Sequence, residues 1–397
     1  MTVLFDAAAL LSILGSLVGL AGWIAVVRFA ARPSFAPIET PPVTILKPLY
    51  GHEPLLEEAL VSCFEQAYPV FQIVFGLHDQ DDPALAVVHR LQARYPDCDV
   101  AIVVDPAIHG PNRKVSNLIN MLQAARYDVL VISDSDLHLP PNYLERLVAE
   151  LEKPGTGLVT SAYIGLPPPE FGWQTRLGAA QITHNFLPGV LLSRMFGRED
   201  CLGSTAMIRR STLEQTGGLG ALVSVLAEDN VLGQRVHDLG LSVGLTDAIV
   251  PATVPEPNFL ALWHHEIRWT RTIRASAPLA LAASTLQYPL FWALATCVLS
   301  GGALWSLAFF GASWALRAAS VMGIDAVLQR QLGRLAPSTP IWLLPARDIL
   351  SVVEIAASYL VEDVIWRGHK IDANGLELDR ITVPVGNATG WSKIGSD

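Results

Sequence analysis

From Ala7 to Ala31 the chain is apolar at every position except Ser12, Ser16 and Arg28, and no soluble fold accommodates such a run on its surface. A helix needs roughly 20 apolar residues to cross the hydrocarbon of a bilayer. Asp6 precedes the run and Arg28 and Arg32 follow it, the reverse of the basic start of a cleaved leader. Residues 1–33 therefore read as a permanent N-terminal transmembrane anchor. The positive charge behind it places the following domain on the cytoplasmic side.

A second apolar block runs from Ala277 to Leu316 and has room for two short spans joined near Ser300-Gly301-Gly302. A third candidate, Ile341 to Trp366, holds Arg347, Asp348, Glu354, Glu362 and Asp363, and so many charges make a lipid-exposed span costly. An interfacial or re-entrant amphipathic helix is the expectation there, with a third span as the alternative. Residues 277–366 are thus the C-terminal membrane region and 367–397 a polar tail. The tail carries an Asn387-Ala388-Thr389 sequon that a cytoplasmic location would leave idle.

The segment between the two membrane regions is of a different kind. After the proline-rich stretch 34–42, short apolar runs at Val43–Pro48, Phe71–Gly76, Val100–Val104 and Val129–Ser133 alternate with helical patterns at Glu53–Phe64, Pro83–Tyr95 and Val115–Arg126. Strand–helix alternation of this kind points to an α/β domain on a mostly parallel sheet. Ligands of such sheets bind beyond the carboxyl ends of the strands. A net charge of −10 argues against a nucleic-acid partner. Four widely spaced cysteines make no CxxC pair and read as buried free thiols.

Polar motifs stand where the runs end. Ser133-Asp134-Ser135-Asp136 places two carboxylates after the last of those strands. Together with phosphate oxygens, Asp134 and Asp136 suffice to hold Mg²⁺ or Mn²⁺, although a bare DxD also serves as a solvated turn. Asp79, in Asp79-Gln80-Asp81-Asp82-Pro83, is placed to face a nucleotide, while Asp82 before Pro83 is a helix-capping signal. Lys114, in Asn112-Arg113-Lys114, opens a helix and is either a phosphate ligand or a basic surface residue. Asp229, in Ala227-Glu228-Asp229, is either a capping acid or a general base for a hydroxyl. Arg268-Trp269 can meet a departing diphosphate and stack on a ring, or serve as an interfacial anchor.

Taken in order, His78–Ala84, Asn112–Leu118, Ser133–Asp136, Gly203–Arg210, Gly217-Gly218-Leu219, Ala227-Glu228-Asp229 and Ile267–Thr270 resemble the ceramide glucosyltransferase family (family 21). The likeness covers about 43–274. It implies a GT-A fold, the Rossmann-like nucleotide-diphospho-sugar transferase architecture, over a domain 43–274 with transmembrane helices on both sides. It also implies a membrane-bound inverting glycosyltransferase using a UDP-sugar donor. Within the family the likeness is greatest to the bacterial hopanoid-biosynthesis-associated branch. That branch implies transfer of GlcNAc from UDP-GlcNAc to bacteriohopanetetrol at the bacterial inner membrane, with UDP-glucose and ceramide or another lipid as the alternative pair. A non-catalytic lipid-binding scaffold is the alternative from a different class.

At matched positions the resemblance gives Asp79 to the uridine, Asp134 and Asp136 to metal and diphosphate, and Asp229 to the acceptor hydroxyl. It puts Arg268 and Trp269 in a (Q/R)xxRW element. His265 stands at the first position of that element, where the family has Gln or Arg. Ceramide enzymes tend to keep one Asp in the second motif. Having both Asp134 and Asp136 favours the bacterial branch and metal dependence.

Overall fold

The computed structural model describes residues 2–336, 338–360, 363–366, 369–372 and 380–384; the Asn387 sequon and most of the polar tail lie outside the described residues. The chain divides into two compact units. One comprises Pro33–Tyr163, Arg198–Pro255 and Ile371–Asp397, the other Met1–Arg32, Ile164–Gly197 and Glu256–Lys370.

The first unit is built on a seven-stranded sheet of β1 (Val43–Pro48), β2 (Phe71–Leu77), β3 (Asp99–Val104), β4 (Val129–Ser133), β5 (Thr156–Leu166), β6 (Thr205–Arg209) and β7 (Ser242–Thr253), ordered β3-β2-β1-β4-β6-β5-β7. β1 to β4 pair in parallel, Ile45 facing Ile73 on one side and Val131 on the other. Alternate residues pack on opposite faces: Ile45, Ile73 and Val131 join one core, Leu46, Val74, Leu130 and Ile132 the other. Burial on both faces is why these strands read as unbroken apolar runs.

The far half of the sheet departs from the parallel expectation. β6 is antiparallel to both β4 and β5, so the sheet is mixed. The chain returns to the sheet at Thr205, opposite Ser133 at the carboxyl end of β4. Entering at that end, whatever helices precede it, it can only run backwards. Helix starts follow local chemistry. Asp82 caps Pro83–Arg94 by accepting from the Ala84 amide at 2.9 Å, and Asn112 caps Arg113–Leu122 through the Val115 amide at 3.1 Å.

Among the described residues of the second unit, two helices are long and apolar enough to cross a membrane, Val3–Ala30 and Leu304–Leu335. They run side by side in the same direction. Phe5 meets Trp305 at one end, with ring centroids 5.7 Å apart, and Gln331 Nε2 donates to the Ala30 carbonyl at the other, 3.0 Å away. Midway, the Ser12 hydroxyl lies 3.2 Å from that of Ser313 and donates to the Pro289 carbonyl at 3.0 Å.

The expected break at Gly301-Gly302 is present, both glycines taking positive φ (69° and 75°). On either side of it the helices differ in length and shape from the two short spans expected within 277–316. The helix after the break continues to Leu332. The one before it is bent by 73° between Pro278–Gln287 and Pro289–Leu299, because Pro289 has no amide hydrogen to continue the ladder.

Of the charges of 341–366 that made a span unfavourable, Arg347, Asp348 and Glu354 turn inward on the helix Leu344–Ser358, while Glu362 and the side chain of Asp363 lie outside the described residues. Arg347 reaches Glu266 at 2.9 Å and Glu354 at 2.7 Å, and Arg317 reaches Asp348 at 3.3 Å, all of them buried. His184 is held 2.7 Å from Asp325.

Candidate active site at the carboxyl edge of the sheet

Because β1, β2 and β4 are parallel, Asp79 and the Asp134/Asp136 pair emerge on the same edge of the sheet. Asp134 follows β4, where its amide donates to the Ser204 carbonyl at 3.1 Å and its own carbonyl accepts from Lys47 Nζ. The Asp136 carbonyl is tied to the Thr253 amide at 2.9 Å. The loop that presents the two carboxylates is therefore fastened by its backbone to β1, to β7 and to the residue before β6.

Lys114 sits in the first turn of its helix and brings two motifs together. Its ammonium lies 2.7 Å from Asp134 Oδ1 and 3.1 Å from Glu228 Oε1. Burial opposes the charge, but Asp134 and Glu228 outweigh it and hold the ammonium well above the usual lysine range. Asn112, besides capping the helix, donates to Glu228 Oε2 at 3.1 Å and to the Val225 carbonyl at 2.9 Å. The Asn-Arg-Lys motif thus locks onto the Glu-Asp motif, more than a hundred residues away.

Glu228 and Asp229 occupy the first turn of Glu228–Asp238. Burial first, then the neighbouring Glu228, pushes the Asp229 carboxyl up to about 7, with Lys114 acting in the opposite sense. Gly203, at φ 66°, backs against it, and a Cβ there would lie 2.8 Å from Asp229 Oδ2. The Asp136 carboxyl is pushed up to about 8, by burial first and then by Asp134 and Glu53. The negative charge that Asp134 and Glu53 bring to Asp136 is what a cation would relieve. Among the described residues no three His, Cys, Asp or Glu side chains form a metal cluster; two carboxylates completed by substrate oxygens can hold Mg²⁺ or Mn²⁺.

Asp79, two residues after the end of β2, has an exposed side chain and accepts from the Asp81 amide at 2.9 Å. Asp82, besides its capping bond, accepts from the Gly51 amide at 2.8 Å. Arg268 and Trp269 lie on the helix Phe259–Ser276 of the membrane unit. There the His265 ring meets Trp269 edge-on, centroids 4.6 Å apart, and His265 Nδ1 pairs with buried Glu256. Motif reading passed over Lys47, Glu53 and Glu256. Lys47 had a signal: a lysine inside the fully buried strand Val43–Pro48 requires a polar partner at the strand end. Glu53 accepts from the Ser135 hydroxyl at 2.7 Å, and nothing local announces that pairing.

The sequence profile described as glycosyl transferase family 21 matches residues 5–375. Ceramide glucosyltransferase 1 of Caenorhabditis elegans is 25% identical over 271 residues, 66% of this chain and 54% of the relative. The ceramide glucosyltransferase of Komagataella phaffii is 34% identical over 131 residues, 32% of this chain and 26% of the relative. The chain thus spans about half or less of the length of these relatives. Among solved structures, a mannosyltransferase from Pyrobaculum calidifontis in complex with GDP-Man and Mn²⁺ aligns over 90% of this chain and 99% of its own, with TM-score 0.51 and 20% identity. That likeness concerns the fold, a GT-A α/β architecture.

Proposed function

The chain belongs to glycosyl transferase family 21, and from that premise we propose that it is a membrane-bound inverting glycosyltransferase that moves a sugar from a UDP-sugar to a lipid hydroxyl. The observation that carries the reading is Asp229, a carboxyl raised to about 7, on the same first turn as Glu228, whose partner Lys114 also holds Asp134. A base poised near the working pH and a charged cradle for a diphosphate are what a direct displacement requires.

In this mechanism Asp229 takes the proton from the lipid hydroxyl as it attacks the anomeric carbon opposite the leaving UDP. Lys114 offsets negative charge growing on the diphosphate, Asp79 holds the uridine, and Arg268 with Trp269 receives the departing phosphate and the acceptor. A divalent cation held by Asp134 and Asp136 supplies Lewis-acid neutralisation of the leaving group when bound. Asp134 serves both the cation and the donor.

For the pair of substrates we propose GlcNAc from UDP-GlcNAc and a hopanoid polyol, bacteriohopanetetrol. The full Asp134/Asp136 motif and the likeness to that branch support it. A second reading, UDP-glucose and ceramide, is favoured by the named relatives. We place the sheet unit on the cytoplasmic face of a bacterial inner membrane. The two long helices run in the same direction, so the bent segment Pro278–Leu299 carries the chain back across and makes three crossings among the described residues.

UDP release by the full chain in detergent tests the reading, with each donor against each acceptor, with and without EDTA. EDTA-sensitive release only with UDP-GlcNAc and the polyol supports it to its substrates. Release only with UDP-glucose and ceramide moves the assignment to the second reading. No release with any pair, together with no UDP-sugar binding, would leave a lipid-binding scaffold.

A further inference from the structure

Away from the carboxylates, three segments of the membrane unit expose large apolar side chains around one buried point. Leu177, Leu262 and Leu343 form a small core. One helical turn before Leu177 stands Trp173, and three residues before Leu262 stands Phe259. Positions three and four apart share a helix face, so both faces continue outward from the core. Their rings stack with centroids 5.8 Å apart, yet Trp173 remains 51% and Phe259 42% exposed. Leu260 beside them is 62% exposed, and Ile341 and Trp342, just before Leu343, are 44% and 64% exposed.

This rim is continuous with the membrane-crossing part of the unit. Trp314, in the middle of the long apolar helix Leu304–Leu332, donates its indole hydrogen to the Ile341 carbonyl at 2.9 Å. The loop that bears Trp342 is therefore bound to a span. Arg176, exposed one turn after Trp173, adds the basic neighbour that interfacial aromatic residues commonly keep. A soluble surface seldom leaves five large apolar side chains together in water. The helix that begins at Phe259 also carries Arg268 and Trp269.

We propose that Trp173, Phe259, Leu260, Ile341 and Trp342 form a lipid-embedded rim, seated in one leaflet, over which the hydrocarbon of the acceptor enters. The acceptor role rests on the lipid-transferase reading above; the contact with lipid does not. An apolar acceptor leaving the bilayer would expose its chains to water, and a rim inside the leaflet lets its hydroxyl reach the protein while the chains stay covered.

Two measurements on the full chain in nanodiscs test this. In the first, emission of the W173F/W342F variant is subtracted from that of the unaltered protein. The difference should be quenched several-fold more by dibrominated phosphatidylcholine in the disc than by aqueous acrylamide. Quenching by acrylamide with no effect of the bromolipid would place the rim in water and overturn the proposal. In the second, Leu260→Ser/Trp342→Ser should raise the KM for the lipid acceptor, varied as mole fraction, roughly tenfold, the loss of about one buried aromatic contact. The KM for the UDP-sugar and the melting temperature should not move. An unchanged acceptor KM would overturn the entry role. If the unaltered protein turns over no acceptor, that result counts against the transferase reading, and bromolipid quenching alone decides the rim.

Discussion

Replacing Lys114 by methionine removes the one cation shared by Asp134 and Glu228 and keeps most of the side-chain volume. The lysine side chain is 14% exposed, Glu228 17% and Asp134 35%. Breaking a buried pair by deleting one partner costs about 3–5 kcal/mol, because the remaining charge is left without compensation. Asp134 is exposed enough for water to screen part of that, so about 2–4 kcal/mol is the working figure. For a unit of this size each kcal/mol moves the melting temperature by roughly 2–4 °C, which gives a drop of about 4–16 °C.

The pH dependence is the sharper part. Lys114 holds the Asp229 carboxyl down, so without it that carboxyl rises further above its unfolded value. The folded state then takes up a proton as pH falls through the raised value, and the penalty shrinks. The melting gap between variant and unaltered protein, read by scanning fluorimetry in detergent, should be widest near pH 8 and should narrow toward pH 5. A gap independent of pH would show that the lysine contributes packing and not charge, and the electrostatic reasoning would fail.

Other expectations follow from the same geometry. With Asp229 raised to about 7 and required as the unprotonated base, kcat/KM should climb with pH through about 7 and level above it; a profile flat from pH 5 to 8 would remove Asp229 from that role. Asp229→Asn should abolish turnover while leaving UDP-sugar affinity, measured by calorimetry, within a few-fold. Gly203→Ala meets both a φ of 66° and the Asp229 carboxylate; about 1–2 kcal/mol of backbone strain is expected, with a loss of kcat far larger than the change in melting temperature. Arg347→Met strands Glu266 and Glu354 in the interior of the membrane unit; about 3–5 kcal/mol should be lost, and adding Glu266→Gln should restore part of it in the same thermal assay.

Much of the sheet unit was legible because its cues are local. An apolar run bounded by turn residues fixes a buried strand, as at Val129–Ser133, and Asp82-Pro83 announces a helix start wherever it stands. The motifs around Asp79, Lys114, Asp134 and Asp229 were likewise visible as motifs. The meeting of the last three was not. Lys114 joins Asp134 to Glu228, and Asn112 reaches Glu228 across 116 positions, a pairing that depends on how strands are ordered and on no property of either stretch alone. The antiparallel β6 was missed for a similar reason: Thr205–Arg209 looks like any short strand, and only its point of entry sets its direction.

The sequence by itself determined that a long apolar helix precedes an α/β unit, that carboxylates follow its strands, and that His265 stands where its family has Gln or Arg. These are matters of periodicity, composition and order. Only the tertiary structure decided where charge ends up. It turned Arg347, Asp348 and Glu354 inward to partners, so that residues unfavourable in lipid became the interior of the membrane unit. It paired His265 with Glu256 and set Lys47 under the Asp134 loop. It also bent Pro278–Leu299 between two helices running the same way. The physical reason is common to all of these. The cost of a charge depends on the partner within a few ångströms, and the chain specifies that partner only once it has folded.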